Sequence, residues 1–192
     1  RYCCGLAPPY SPPTGGEKEI HTLDLESMEY KPRVKSKFAT IEAAKPIDDL
    51  YTRLKMLVAG QDKAGEFYRL FHYGLFSYIS HRIPEISDEL YRVDDAMMAG
   101  FGWEIGAFES WDVLGVGKTT EAMKAAGYKV APWVDEMLAT GNKSFYKVEG
   151  GKKYCYDPAS KSYKLLPGGE AFIVMSNYTD KQIWKNGSCR LY

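Results

Sequence analysis

The sequence predicts a mainly α-helical domain with a small β hairpin before it and a β-rich connector after it. Three observations carry this reading. Apolar residues recur at helical spacing from about Thr40 to Ala139. Beyond Asn142 the spacing becomes that of strands, punctuated by Gly150-Gly151, Asp157-Pro158 and Pro167-Gly168-Gly169. Residues 1–17 are rich in Pro, Gly and Ser and have no apolar period. The expected organisation is a disordered tail or linker over 1–17, a hairpin or linker over 18–39, a helical domain over 40–141 and a β-rich connector over 142–192. With 192 residues, of which 45% are apolar, the chain is long enough to bury a core without disulfide staples.

Each element has a local reason. Glu19 to Leu25, a turn at Glu26-Ser27, and Met28 to Tyr30 read as a short polar hairpin. A helix begins near Ile41 and stops at Pro46, and Asp48 and Asp49 open the next, where negative charge suits the helix dipole. Leu50, Leu54, Leu57 and Val58 form its apolar stripe. Lys63 to Arg82 predicts a long helix with Phe67, Phe71, Leu75, Tyr78 and Ile79 on one face and Tyr68, Tyr73 and Phe76 on much of the rest. A helix apolar nearly all round is either central to the fold or covered by a neighbouring domain or subunit. Pro84 ends it, and Ser87 predicts an N-cap for Asp88 to Ala99, whose Leu90, Val93, Met97 and Met98 face inward, with Gly100 as a left-handed C-cap.

Gly102 and Gly106 then bracket a turn carrying Trp103, ahead of a helix through Phe108, Trp111 and Leu114 closed by Gly115 and Gly117. Two short helices, Lys118–Ala126 and Pro132–Ala139, complete the helical part, with Pro132 in a permitted first-turn position. A meander of Phe145–Val148, Lys153–Tyr156, Tyr163–Leu166 and Ala171–Met175 follows, and a last hairpin turns at Asn186-Gly187. A start at Arg1 and a stop in mid-strand predict an excised piece of a longer polypeptide.

Composition narrows the function. Twenty-five Lys and Arg balance twenty-five Asp and Glu, so no global field draws the chain to nucleic acid or an acidic membrane. No stretch has the roughly 18 apolar residues of a membrane span, and Pro8, Pro9, Pro12 and Pro13 interrupt any signal-peptide core. Cys3, Cys4, Cys155 and Cys189 have neither zinc nor dithiol spacing, which predicts a reduced, cytoplasmic setting. Without a secretion signal the sequons at Asn142, Asn177 and Asn186 read as accidents of composition.

Motifs are few. Gly115-Val116-Gly117-Lys118-Thr119-Thr120 ends like a phosphate-binding loop, but Asp112 stands where the first Gly is needed and the preceding segment is helical, so the string reads as a helix junction. Glu104, Glu109 and Asp112 lie among Trp103, Phe108 and Trp111, a setting that can raise a carboxyl pKa, although caps and first turns are the commoner role. His21, His72 and His81 share no face and read as surface or packed residues. No dinucleotide fingerprint or nucleophile elbow occurs. The residues therefore predict no catalytic, cofactor-binding or metal-binding side chain, and a structural or interface hub at Gly100, Gly102, Trp103, Gly106, Phe108, Trp111 and Asp112.

One resemblance is specific. Ile83-Pro84-Glu85-Ile86-Ser87-Asp88-Glu89, then Asp94-Asp95-Ala96-Met97, then Gly100 to Asp112 resemble the C-terminal domain of 3-hydroxyacyl-CoA dehydrogenases, in which a D-x-A-M helix runs into G-x-G-x-x-x-G-P-F-E-x-x-D. Ala107 replaces the Pro of that pattern. Lys31-Pro32-Arg33, Glu42-Ala43-Ala44-Lys45, Asp62-Lys63-Ala64-Gly65 and Pro132-Trp133-Val134 are similar to bacterial fusions of this dehydrogenase with a crotonase-fold enoyl-CoA hydratase. The resemblance covers about residues 18–192. It implies a 6-phosphogluconate dehydrogenase C-terminal-like helical fold, here the second, degenerate copy followed by the connector.

For the parent it implies NAD, a coenzyme A thioester substrate, and missing Rossmann, first helical and hydratase domains, with a homodimer possible. The family's catalytic His and Glu belong to the absent Rossmann domain. The Asn that the first copy contributes has no counterpart in Gly65-Glu66-Phe67-Tyr68-Arg69-Leu70. No catalytic residue is carried over, and the fragment itself is expected to bind no cofactor. The alternative reading is a stand-alone helical module that binds a protein partner or an acyl chain.

Overall fold

A computed structural model describes residues 20–34, 36–168, 174–178, 181–186 and 189–191. It divides into two compact units, 1–37 and 38–192. In the first, β1 (His21–Leu23) pairs antiparallel with β2 (Tyr30–Pro32), Leu23 facing Tyr30. Asp24 closes the turn by accepting from the backbone N–H groups of Glu26 (2.9 Å) and Ser27 (3.1 Å) and pairs with Lys31. The expected tail lies outside the described residues, as do Cys3 and Cys4.

The second unit opens with α1 (Ala39–Ala44), α2 (Leu50–Ala59) and α3 (Lys63–His81). Asp49 caps α2 through the N–H of Thr52 at 2.8 Å. Asp62 caps α3 through Gly65 at 3.0 Å while its other oxygen accepts from Thr40, also at 3.0 Å. One side chain thus fastens the start of α1 to the start of α3. Then come α4 (Leu90–Phe101), α5 (Ala107–Leu114), α6 (Val116–Ala125) and α7 (Pro132–Ala139). Strands β3 (Tyr146–Glu149), β4 (Lys152–Asp157) and β5 (Ser162–Leu165) form an antiparallel meander in sequence order, and β6 (Trp184–Lys185) pairs with β7 (Arg190–Leu191).

Helices and meander share one core. Phe76, Leu90, Phe108, Trp111, Met137, Phe145 and Tyr156 belong to a single buried cluster. Trp111 stacks on Phe76 with centroids 4.8 Å apart and planes 2° from parallel, and Phe145 at the head of β3 meets Phe108 edge-on at 5.1 Å.

Four expectations change. Helix α4 starts at Leu90 rather than Asp88, because the Ser87 hydroxyl accepts from the N–H of Glu89 at 3.2 Å and makes a tight turn instead of a cap. Gly100 lies inside α4, and the left-handed cap falls two residues later on Gly102, at φ 66°. Met175 opens a 3₁₀ turn to Asn177, not the end of a strand; the rest of that predicted strand, 171–173, lies outside the described residues, as do Gly187 and Tyr192 of the last hairpin. The long helix divides its predicted face: Ile79 is buried together with Ala64, Gly65, His72, Phe76 and Ser80, whereas Phe67 is 63% and Tyr78 60% exposed. Ser80 explains part of that choice. Its hydroxyl donates to Ser77 O at 2.9 Å and accepts from the N–H of Ala131 at 3.2 Å, and its carbonyl receives the Trp133 indole at 2.8 Å.

Candidate functional site

The densest chemistry in the chain is an acidic clasp where α4, α5 and β3 meet. Asp94 is a charged residue within the apolar stripe of α4, one turn beyond Leu90, and it is 2% exposed. Its Oδ1 accepts from the N–H of Phe108 at 2.8 Å, and its Oδ2 from the N–H of Glu109 at 3.1 Å and the Tyr146 hydroxyl at 2.9 Å. The first two donors are free N–H groups of the first turn of α5, so Asp94 caps a helix fourteen residues away. Asp112, near the far end of α5, accepts from the N–H groups of Phe145 (2.7 Å) and Tyr146 (2.8 Å). At the edge Glu109 receives the Tyr51 hydroxyl at 3.1 Å and the Lys153 ammonium at 3.2 Å.

Electrostatics follow from burial. Desolvation raises the Asp94 carboxyl to about 6 against the pull of its donors, and raises Asp112 to about 7, with Asp94 and Glu109 adding like charge. Burial and the neighbouring Asp94 push the Tyr146 phenol far above its ordinary value, and burial with Glu109 pushes Tyr51 up to about 12. Each carboxylate oxygen of Asp94 and Asp112 is already held by a donor of the fold. The clasp fastens elements; a substrate proton or metal would have to displace those donors. Among the described residues no group of three His, Cys, Asp or Glu could hold a metal ion.

The predicted hub residues separate. Phe108 and Trp111 are fully buried, and Asp112 ties α5 to β3. Gly106 is the N-cap of α5, and a Cβ there would overlap the Asp94 side chain, so only glycine lets the clasp close. Trp103 is half-buried beside Phe71 and Phe101. Gly100 does not join them: it is exposed, and a Cβ on it would meet nothing. Glu104 is exposed and apart from the clasp. Gly115 to Thr120 runs from α5 into α6, a helix-to-helix junction. His72 is buried and His81 exposed, and Cys155, with its thiol pushed up to about 12 by burial, is a free core cysteine.

Asp94 entered the sequence reading only as the first residue of the D-x-A-M pattern and Tyr146 only as a strand residue; the signal for a structural role was an acid standing where α4 should be apolar. Two cavities also had no sequence signature. One of about 610 Å³ runs between the end of α3 and α4, walled by Leu75, Tyr78, Ile86, Met97 and Phe101. The other, of about 340 Å³, lies between α2, α3 and the turn before α5.

The fold and the clasp make this a mainly helical domain whose acids fasten its own elements. The particular likeness is to enzymes of fatty-acid oxidation. The chain is 35% identical over 140 residues to a protein of Bacillus subtilis (strain 168) named as a 3-hydroxyacyl-CoA dehydrogenase, covering 73% of this chain and 18% of that protein. It is 22% identical over 172 residues to a protein of Rickettsia felis named as a fatty acid oxidation complex trifunctional enzyme, covering 89% of this chain and 22% of the relative. The chain thus spans about a fifth of the length of the curated relatives it matches. No family model matches it, and no solved structure matches it significantly. The likeness accords with the mainly helical class, and no helix among the described residues is long and apolar enough to cross a membrane.

Proposed function

We propose that this chain is a non-catalytic packing segment of a 3-hydroxyacyl-CoA dehydrogenase that oxidises the 3-hydroxyl of an acyl-CoA to a ketone by hydride transfer to NAD in cytoplasmic β-oxidation. Within that parent it is the second helical copy with its connector, ahead of an enoyl-CoA hydratase. Its work is to pack against the Rossmann and first helical domains, to support a dimer and to shape the acyl-CoA cleft. Gly102, Trp103, Gly106, Phe108, Trp111 and Asp112 serve as its internal hub, and nucleic acid is not a partner.

The observation that carries the reading is the outer face of α3 and α4. Phe67, Phe71, Tyr78 and Phe101 stand exposed on it, Phe101 to 71%, with Ile86 exposed on the segment that joins the two helices. Phe67 stacks on Phe71, Phe71 lies 6.3 Å from Trp103, and Trp103 lies 5.9 Å from Phe101, so the apolar surface is continuous. A continuous apolar face of this kind marks a surface that a neighbour covers.

The test is direct. The 192-residue chain, incubated with acetoacetyl-CoA and NADH, should oxidise no NADH, and the coding sequence ahead of Arg1 should contain a strand–turn–helix unit with G-x-G-x-x-G. NADH oxidation by the pure chain overturns the non-catalytic role. A natural start codon immediately before that of Arg1, with no such unit upstream, favours the stand-alone module instead.

A further inference from the structure

The 340 Å³ cavity shares Phe71 and Trp103 with the face assigned to packing, and adds Leu50, Leu54, Tyr68 and His72, which that role does not use. Leu50 and Leu54 come from α2, Tyr68, Phe71 and His72 from α3, and Trp103 from the turn before α5. Five of these six side chains are hydrocarbon or aromatic, Tyr68 with its hydroxyl, and Glu104 and Ser110 add polar groups to the lining. The sixth, His72, is 7% exposed. Its Nδ1 lies 2.6 Å from the carbonyl oxygen of Tyr68, one turn back on its own helix. A carbonyl accepts only, so Nδ1 carries the proton and Nε2, on the opposite edge of the ring, holds a lone pair. Burial favours the neutral ring. Phe71, edge-on at 5.2 Å, and Phe76, tilted at 5.6 Å, fix the ring plane. Nε2 therefore has a fixed direction, an acceptor character and no donor among the described residues to meet it.

We propose that this cavity is a binding site for a small neutral molecule with an aromatic or otherwise apolar body and one hydroxyl donor, the hydroxyl delivered to His72 Nε2. The body would lie against Phe71 and Trp103, which supply flat apolar walls, and α2 would close the other side through Leu50 and Leu54. Size sets the scale: an apolar cavity of about 150 Å³ holds benzene, so one roughly twice as large takes two fused rings. A ligand without the donor leaves Nε2 dry and unpaired, which gives the site its preference for an alcohol or phenol over the matching ether.

The probe is 2-naphthol, with 2-methoxynaphthalene as the partner that keeps the rings and loses the donor. Calorimetric titration of the 192-residue chain should show the naphthol bound roughly threefold to tenfold more tightly, the span expected of one net hydrogen bond. His72→Phe should bring the ratio to about one. Leu54→Trp, which fills the cavity from a half-exposed position on α2, should abolish binding of both. Equal affinities in the native chain overturn the acceptor role of His72. No binding of either probe at millimolar concentration, or naphthol binding untouched by Leu54→Trp, overturns the site. None of these outcomes bears on whether the chain oxidises NADH, so the proposed packing role stands or falls separately.

Discussion

Trp111 offers a test in which two substitutions at one position should behave in opposite ways. The side chain is fully buried, stacked on Phe76 at 4.8 Å and tilted against Phe145 at 5.2 Å. Truncation to Ala removes this packing and leaves a cavity that the stacked rings cannot collapse into. The cost should be about 3–5 kcal/mol, a large share of the roughly 5–15 kcal/mol that keeps a domain folded. At about 2–4 °C per kcal/mol for a chain of this size, the melting temperature should fall by roughly 6–20 °C. The indole Nε1, however, is buried with no hydrogen-bond partner among the described residues. An unsatisfied buried donor costs about 1–3 kcal/mol, so Trp111→Phe removes a liability along with some volume. A loss of some tens of Å³ costs about 1 kcal/mol at 24 cal/mol per Å³, so the two terms offset each other to within about 2 kcal/mol. Urea unfolding followed by far-UV circular dichroism, with an unchanged slope as the check on two-state behaviour, measures both. If Trp111→Phe proves as damaging as Trp111→Ala, the indole N–H is bonded in solution and the reasoning is refuted.

Two further outcomes rest on the clasp and its flanks. Gly106→Ala, whose Cβ would overlap Asp94, should cost several kcal/mol in the same unfolding assay, whereas Gly100→Ala, in the open interior of α4, should stabilise by up to about 1 kcal/mol; a harmless Gly106→Ala would mean that the clasp gives way easily. The clasp also predicts a pH dependence. Asp112 and Asp94, raised to about 7 and about 6, keep protons in the folded chain that the unfolded chain releases near pH 4, so their contribution to stability is greatest below pH 4, falls as pH rises towards 7 and is level above it. Asp112→Asn cannot ionise, so its deficit relative to the native chain should shrink by on the order of 3 kcal/mol between pH 4.5 and pH 7.5; a deficit that is constant with pH counts against the raised carboxyl.

The helical middle, the β-rich end and most of the punctuation were legible in the residue pattern, because these are local matters. Pro46, Asp49 and Pro132 act within a turn or two of where they stand, and the aromatic-and-glycine run from Gly100 to Asp112 carried the resemblance to the dehydrogenases. Tertiary structure decided what depends on residues distant in the chain. Periodicity showed that α3 is apolar almost all round, but which side is buried depended on α5 presenting Trp111 to Phe76 and α7 presenting Trp133 to Ser80. Asp94 reads as a misplaced charge in α4 until Phe108 and Tyr146, fourteen and fifty-two residues away, supply its donors. A buried carboxylate is tolerated only where hydrogen-bond donors converge on it, and that convergence is a property of the folded chain rather than of any one segment.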